Sequence, residues 1–248
     1  SSINLFKKNV ITEISSKTPT LMILIDNLRY DQWKSIEPSV IEDYKKSTDI
    51  LYYSILPTTT QYARNAFFSG LSPLDIKNKH NDYWFSEMDD GGKNKYEDEL
   101  IKNQLLRLES KIKYKYFKVS NSKDGNLFYN RLNSEKSNDL TVLVYNFVDM
   151  MSHAKKDVKF IKELAPTDKA YRELTKSWYK NSKLNDIIKK GKELGFKIII
   201  TSDHGTINVN KPSLVSGDKE ISNNLRYKTA KQVHVKNKEV INLDNPTN

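Results

Sequence analysis

The chain has 248 residues, enough for one large domain with a substantial core. It contains no cysteine, which excludes disulfide scaffolds and thiolate metal sites and is typical of a reducing compartment such as the cytoplasm. Lys and Arg number 41 against 31 Asp and Glu, a net charge of +10 that admits an anionic partner, although the lysines are scattered. The longest purely apolar stretch, 21–25, is too short to span a membrane.

Four apolar runs that each end in polar residues predict buried strands. They are TLMILID, ILYYSILPTTT, TVLVYNFVD and FKIIITSDHG. Continuous apolar runs rich in Val and Ile are typical of strands buried on both faces. Helical patterns lie between them at 62–68, 97–111 and 167–194, and Gly195 ends the last one. This alternation predicts an α/β fold with a mostly parallel central sheet flanked by helices.

Three further segments lie outside this alternation. Residues 1–17 are expected to form a lead-in helix or linker before a domain at 18–248. Residues 77–95 have the composition of a surface insertion, whose aromatic cluster at 83–85 either packs the loop onto the core or stacks on bases. In the tail, short strand signals occur around 233–235 and 240–241.

Side chains that can bind a metal or attack a substrate follow the four runs: Asp26, Thr60, Asp149 and Asp203. Ligands of open parallel sheets bind beyond the carboxyl ends of the strands, so these residues are expected to meet at one edge. A single Asp after a strand is more often a helix N-cap than a ligand. Three such aspartates, two of them accompanied by histidines, indicate a metal site.

The two histidines stand at favourable spacings. His204 directly follows Asp203, where both side chains can converge on one ion in the loop after the strand. His153 follows Asp149 by four residues, which places both on one face if that segment is helical. Oxygen and nitrogen ligands without sulfur suit Zn²⁺ or Mn²⁺.

The threonine run at 58–60 precedes a predicted helix. A hydroxyl at a helix start beside a metal is a candidate nucleophile, and the helix N-terminus favours a phosphate. The alternative is that Thr60 merely caps the helix.

Taken together, the pattern D…PTTTxxxRxxxxSG…DxxxH…DHG resembles the alkaline phosphatase superfamily. The offsets of Thr60, Arg64 and Gly70 resemble those of nucleophile, arginine and glycine in its sulfatase branch, which selects Thr60 over its neighbours. More narrowly, IDNLRYDQW, LPTTTQYARNAFFSG and NNLRYKTAKQVHV resemble a PglZ domain. The resemblance extends from about residue 18 to the end, and it is nearest to the effector domain of PorX-type response regulators, which control type IX secretion.

This resemblance implies an alkaline-phosphatase-like core with two metal sites. The first ion would be held by Asp26, Thr60, Asp203 and His204. The second would be held by Asp149 and His153 together with one further His. Arg64 would help to bind the phosphoryl group, for which a guanidinium fork is well suited. Two such ions stabilise the attacking and leaving oxygens of an in-line displacement.

The chain also departs from the family pattern. It lacks the C-terminal HGG segment that resembles the source of the last His, it lacks the N-terminal receiver domain of such regulators, and it starts at Ser1. We therefore expect a truncated chain with an incomplete second metal site. His234 could replace the missing ligand, although a lone strand histidine is more often a surface or packing residue.

The resemblance implies a metal-dependent phosphoester hydrolase, a phosphodiesterase or phosphatase, in the cytoplasm. A Thr nucleophile and a basic surface favour a phosphodiester substrate such as a cyclic or short oligonucleotide. The chain would serve as the effector domain of a two-component response regulator linked to type IX secretion. Signalling partner proteins and a homodimer of the full-length protein are compatible with that role. The alternative from another class is a catalytically inactive regulatory or interaction module with a structural metal site.

Overall fold

The computed structural model describes residues 2–85, 92–146 and 165–242, except 208, 210, 220, 223, 225, 231 and 236–239. Its centre is a four-stranded sheet of β1 (Thr20–Ile25), β2 (Tyr114–Val119), β3 (Leu140–Tyr145) and β4 (Lys197–Thr201). The strand order is β2-β3-β1-β4, and every neighbouring pair runs parallel. The predicted α/β class with a parallel central sheet is confirmed.

Helices flank this sheet on both faces. Those of the described residues are α1 (Tyr30–Ile41), α2 (Thr60–Ser69), α3 (Pro73–Lys79), α4 (Glu97–Arg107), α5 (Ser122–Arg131), α6 (Asp168–Asn181) and α7 (Lys183–Glu193). Short helical turns precede β1, at Ser2–Asn4, Phe6–Val10 and Ile11–Glu13. A small antiparallel pair, β5 (Val215–Gly217) and β6 (Val233–Val235), lies in the tail. None of the described helices is long and apolar enough to cross a membrane.

Strand β1 supplies the core on both sides of the sheet, which explains its uninterrupted apolar sequence. Leu21, Ile23 and Ile25 belong to a buried cluster that includes residues of α1, α5 and α7. Met22 and Leu24 point to the other face and join a cluster that includes residues of α2 and α4. The N-terminal turns contribute Phe6 to this second cluster.

The runs at 20–26 and 196–205 contain β1 and β4, and the run at 141–149 covers β3 except Leu140, so three strand predictions are confirmed. The residues of β4 are only partly buried, unlike those of β1 and β3. The prediction of a strand in ILYYSIL is wrong, because residues 50–56 form no strand. Leu51 and Tyr53 are 67% and 94% exposed, and the Tyr52 hydroxyl donates a hydrogen bond to the carbonyl of Ser202. An apolar run indicates that a segment tends to be buried. It does not show whether another strand lies beside the segment to form backbone hydrogen bonds with it.

The helical pattern at 167–194 forms two helices instead of one. Ser182 has an extended backbone with ψ 155° and accepts a hydrogen bond from the backbone N–H of Asn185, so it starts α7 as an N-cap. Gly195, with φ +79°, follows the end of α7 as predicted. The tail strand signal at 233–235 is confirmed by β6, whereas residues 240–241 are not part of a strand.

Candidate active site

Asp26 is the first residue beyond β1. All six residues of β1 are buried between β3 and β4, and the backbone N–H of Asp26 continues the ladder by donating to the carbonyl of Tyr145 at 3.0 Å. The carboxylate therefore emerges at the carboxyl edge of the sheet, where it is 1% exposed. This is where the sequence predicts a ligand site.

Asp203 lies at the same edge, two residues after the neighbouring strand β4. Its Oδ1 accepts hydrogen bonds from the backbone N–H groups of Asn27, at 3.1 Å, and His204, at 2.9 Å. The hydroxyl of Ser202 accepts from the backbone N–H of Leu28 at 3.0 Å. These hydrogen bonds tie the loop after β1 to the loop after β4 and hold the Asp203 carboxylate in place.

Three of the six predicted metal ligands thus come together. The ligand atoms of Asp26, Asp203 and His204 all lie within 4.8 Å of one another, and all three residues are buried. His204 Nδ1 is 3.0 Å from Asp203 Oδ1 and 3.8 Å from Asp26 Oδ1. Ligands at about 2.0–2.2 Å from one ion are about 3–4 Å apart, so this donor set fits Zn²⁺ or Mn²⁺.

Arg64 reaches the same group from α2, and its side chain is completely buried. Nη2 pairs with Asp26 Oδ2, and Nε donates to Asp203 Oδ2 at 3.0 Å. Burial opposes the charge of the guanidinium, but the carboxylates of Asp203, Asp26 and Glu97 outweigh that effect and raise the pKa of Arg64 well above its usual value. The guanidinium predicted to bind a phosphoryl group is therefore occupied by carboxylates in this structure.

The same balance acts on Asp203. Burial alone would raise the pKa of its carboxyl, yet the positive charge of Arg64 and the contact with His204 hold that pKa far below its ordinary range. Asp203 is consequently an anion at neutral pH, as a metal ligand must be.

Glu97 and Asn146 complete this site and were missed by the sequence analysis. Glu97 Oε1 and Asn146 Oδ1 each lie 3.3 Å from Arg64 Nη1. Glu97 is the first residue of α4, and Asn146 directly follows β3. No sequence motif surrounds either residue. The position of Glu97 in the first turn of a predicted helix was only a weak indication that it belongs to the site.

Thr60 is the first helical residue of α2, and Thr59 is the N-cap. Thr60 therefore does not cap the helix, and it lies one turn before Arg64 on the same helix face. Asn94 donates from Nδ2 to the carbonyl of Thr60 at 3.1 Å and to Asn65 Oδ1 at 3.0 Å, which fixes the first turn of α2. The Thr59 hydroxyl is buried and forms no hydrogen bond within the described residues.

Among the described residues, no further histidine that was predicted as a metal ligand joins this group. Asp149 and His153 lie outside the described residues, so the second metal site stays a prediction. His234 lies in β6 opposite Ser216 and is exposed, away from the Asp26 group.

Aromatic residues of the predicted insertion pack onto the start of α2 and onto each other. Trp84 meets Tyr62 edge-on with ring centroids 5.3 Å apart, and Phe85 stacks on Tyr96 at 5.8 Å. The tail joins this cluster, because Tyr227 meets Tyr62 at 5.4 Å. These contacts favour packing over base stacking as the role of the cluster at 83–85.

The fold and the buried acidic group define an alkaline-phosphatase-like α/β protein. The family described as the BREX system PglZ alkaline phosphatase-like domain matches residues 5–247. The chain belongs to this family, which confirms the resemblance to PglZ domains and indicates a hydrolase of the phosphoesterase type. No curated protein matches the chain. The narrower resemblance to PorX-type regulators stays a prediction.

Proposed function

We propose that the chain is a metal-dependent phosphodiesterase. The observation that carries this proposal is the buried convergence of Asp26, Asp203 and His204 at the carboxyl edge of the sheet. Buried carboxylates are costly unless they are paired or bind a cation, so their grouping with an imidazole supports a divalent-ion site. Membership of the alkaline phosphatase-like family supports phosphoester hydrolysis as the reaction.

In this proposal one ion, Zn²⁺ or Mn²⁺, would be held by Asp26, Thr60, Asp203 and His204. A second would be held by Asp149 and His153. Such ions polarise phosphoryl oxygens and lower the pKa of a bound hydroxyl, which makes a threonine nucleophilic at neutral pH.

Thr60 is the proposed nucleophile because of its place on α2. The first backbone N–H groups of a helix have no partner within the helix, and the helix dipole adds positive potential at that end. A phosphoryl group at this position is favoured by both effects. The hydrogen bonds from Asn94 fix the backbone of this turn, from which the Thr60 side chain projects.

The substrate class and the biological setting are the finer parts of the proposal. A Thr nucleophile and a net charge of +10 favour a cyclic or short oligonucleotide. The motifs at 25–33, 56–70 and 223–235 resemble the effector domain of PorX-type response regulators, so we propose a cytoplasmic signalling role linked to type IX secretion. Signalling partners and a homodimer stay predictions.

The test compares two neighbouring threonines. Hydrolysis of bis(p-nitrophenyl) phosphate is measured with Zn²⁺ or Mn²⁺ added to metal-free protein. Thr60→Val keeps the shape of the side chain and removes the oxygen, so kcat should fall by at least about a thousandfold. Thr59→Val removes a buried hydroxyl that forms no hydrogen bond within the described residues and should keep the wild-type rate.

If Thr59→Val loses activity and Thr60→Val keeps it, the nucleophile is Thr59 and the proposed assignment to Thr60 is wrong. The inactive module predicts a different result, in which the wild-type protein binds the ion but hydrolyses no phosphodiester. Thr60→Val would then be as inactive toward the phosphodiester as the wild-type protein.

A further inference from the structure

Glu97 is a buried carboxylate to which none of the roles above applies. Its side chain is 1% exposed, and it begins α4. Oε1 lies 3.3 Å from Arg64 Nη1, and Oε2 lies 3.2 Å from Lys118 Nζ while accepting a hydrogen bond from the Tyr116 hydroxyl. Both carboxylate oxygens are therefore paired, one toward the Asp26 group and one toward β2.

The contacts of Arg64 show what Glu97 holds in place. The guanidinium binds Oδ2 of Asp26 and Oδ2 of Asp203, while Oδ1 of each carboxylate lies on the side of His204 Nδ1. Arg64 thus separates the two oxygens of each aspartate into one that it binds and one that is directed toward the imidazole. Glu97 Oε1 binds the third nitrogen of the fork, Nη1, together with Asn146 Oδ1, and Glu97 is the charged one of these two anchors.

We propose that Glu97 is a positioning residue of the metal site that acts through Arg64; this inference rests on the proposed function. Glu97 anchors the fork, so that the Oδ1 atoms keep the orientation that an ion requires. Its negative charge also offsets that of Arg64, which otherwise repels an incoming dication. Both effects act in the same direction, because each is lost when the carboxylate is removed.

The experiment measures Zn²⁺ affinity of the 248-residue chain by competition with a fluorescent chelator. Glu97→Gln should weaken Zn²⁺ binding by about tenfold or more, the loss typical of residues that orient metal ligands. If Glu97→Gln does not fold, Glu97→Asp, which keeps the charge but shortens the side chain, should show a smaller loss in the same direction.

Glu135 supplies the matched control. It is 3% exposed, it pairs with Arg131 Nε and Asn138 Nδ2 at 2.9 Å each, and it precedes β3 at the opposite edge of the sheet. Glu135→Gln should keep wild-type Zn²⁺ affinity despite breaking a buried pair. Wild-type affinity in Glu97→Gln, or in Glu97→Asp if only that variant folds, would overturn this inference alone. A wild-type chain that binds no Zn²⁺ would overturn both proposals.

Discussion

Arg64 determines the electrostatics of the candidate site. It is the largest of the fully buried side chains in the described part of the chain, and it faces the carboxylates of Asp26, Asp203 and Glu97. Its raised pKa keeps it charged at neutral pH. Because the Arg64 cation faces the buried Asp203 carboxylate, Asp203 can stay ionised before an ion binds.

Gly70 is a residue whose conformation and surroundings both require glycine. It ends α2 with φ +64°, and a Cβ added there would meet the side-chain amide of Gln104 at 2.3 Å. Gly70→Ala should therefore lower the free energy of unfolding by about 2–4 kcal/mol, which combines left-handed strain with overpacking. Urea denaturation of the metal-free protein measures this loss.

Gly195→Ala is the control for the backbone contribution. Gly195 has φ +79°, but a Cβ there meets no atom within 4 Å. Gly195→Ala should lower the free energy of unfolding by only about 1–2 kcal/mol, which is the strain of the left-handed conformation. Equal losses in the two variants would show that Gln104 moves aside and that the contact is not a constraint.

At the scale of elements, the strands differ in how well the sequence predicts them. β1 and β3 have neighbours on both sides and helices on both faces, so their sequences are continuous apolar runs. β2 lies at the edge and has Lys115 and Lys118 among its aromatic residues, so its sequence contains no continuous apolar run and does not stand out as a buried strand. The run at 50–56 has the reverse character, since it is apolar yet forms no ladder.

Helix α1 and the loop after it are joined by a charge cluster around Glu37. The Glu37 side chain is 8% exposed and binds Nζ of Lys34 and, at 2.6 Å, Nζ of Lys46. These two hydrogen bonds hold the pKa of Glu37 below its usual value. Glu37→Gln should destabilise the protein at pH 7 by about 1.5–3 kcal/mol, as expected for hydrogen bonds to a charged group.

The sign of the pH dependence follows from the lowered pKa. Such a carboxyl adds stability above its unfolded pKa of about 4.3, and this stability is lost as the pH falls through the folded pKa. The difference between wild type and Glu37→Gln in urea titrations should therefore shrink from pH 7 to pH 3. Glu13→Gln, which breaks the exposed pair with Lys197, should leave stability nearly unchanged, because solvent screens such a pair. A constant difference for Glu37→Gln across this range would contradict the ionic explanation.

At the scale of the whole molecule, the site is assembled from distant parts of the sequence. Asp26 and Asp203 were predictable, because each directly follows an apolar strand and parallel strands end at one edge. The burial of Arg64 was not predictable. The motif spacing predicts its position on α2 but does not predict the carboxylates that surround its guanidinium. Glu97 and Asn146 were missed because tertiary packing, not a local pattern, brings them to the guanidinium.

Because the ligands come together only when the chain folds, an ion bound at this site should stabilise the folded state. Asp203 donates no ligand atom near Asp26 in an unfolded chain, because 176 residues separate the bonded pair Asn27 and Asp203. An ion that binds only the folded state at a hundred times its Kd adds about 2.7 kcal/mol, which for a chain of this length raises Tm by about 5–10 °C. Zn²⁺ added to chelator-treated protein should produce this shift in a thermal scan. Asp203→Asn removes the anionic ligand and should abolish the shift. A wild-type Tm that is indifferent to Zn²⁺ and Mn²⁺ would show that neither ion binds the folded chain, and an undiminished shift in Asp203→Asn would place the ion elsewhere.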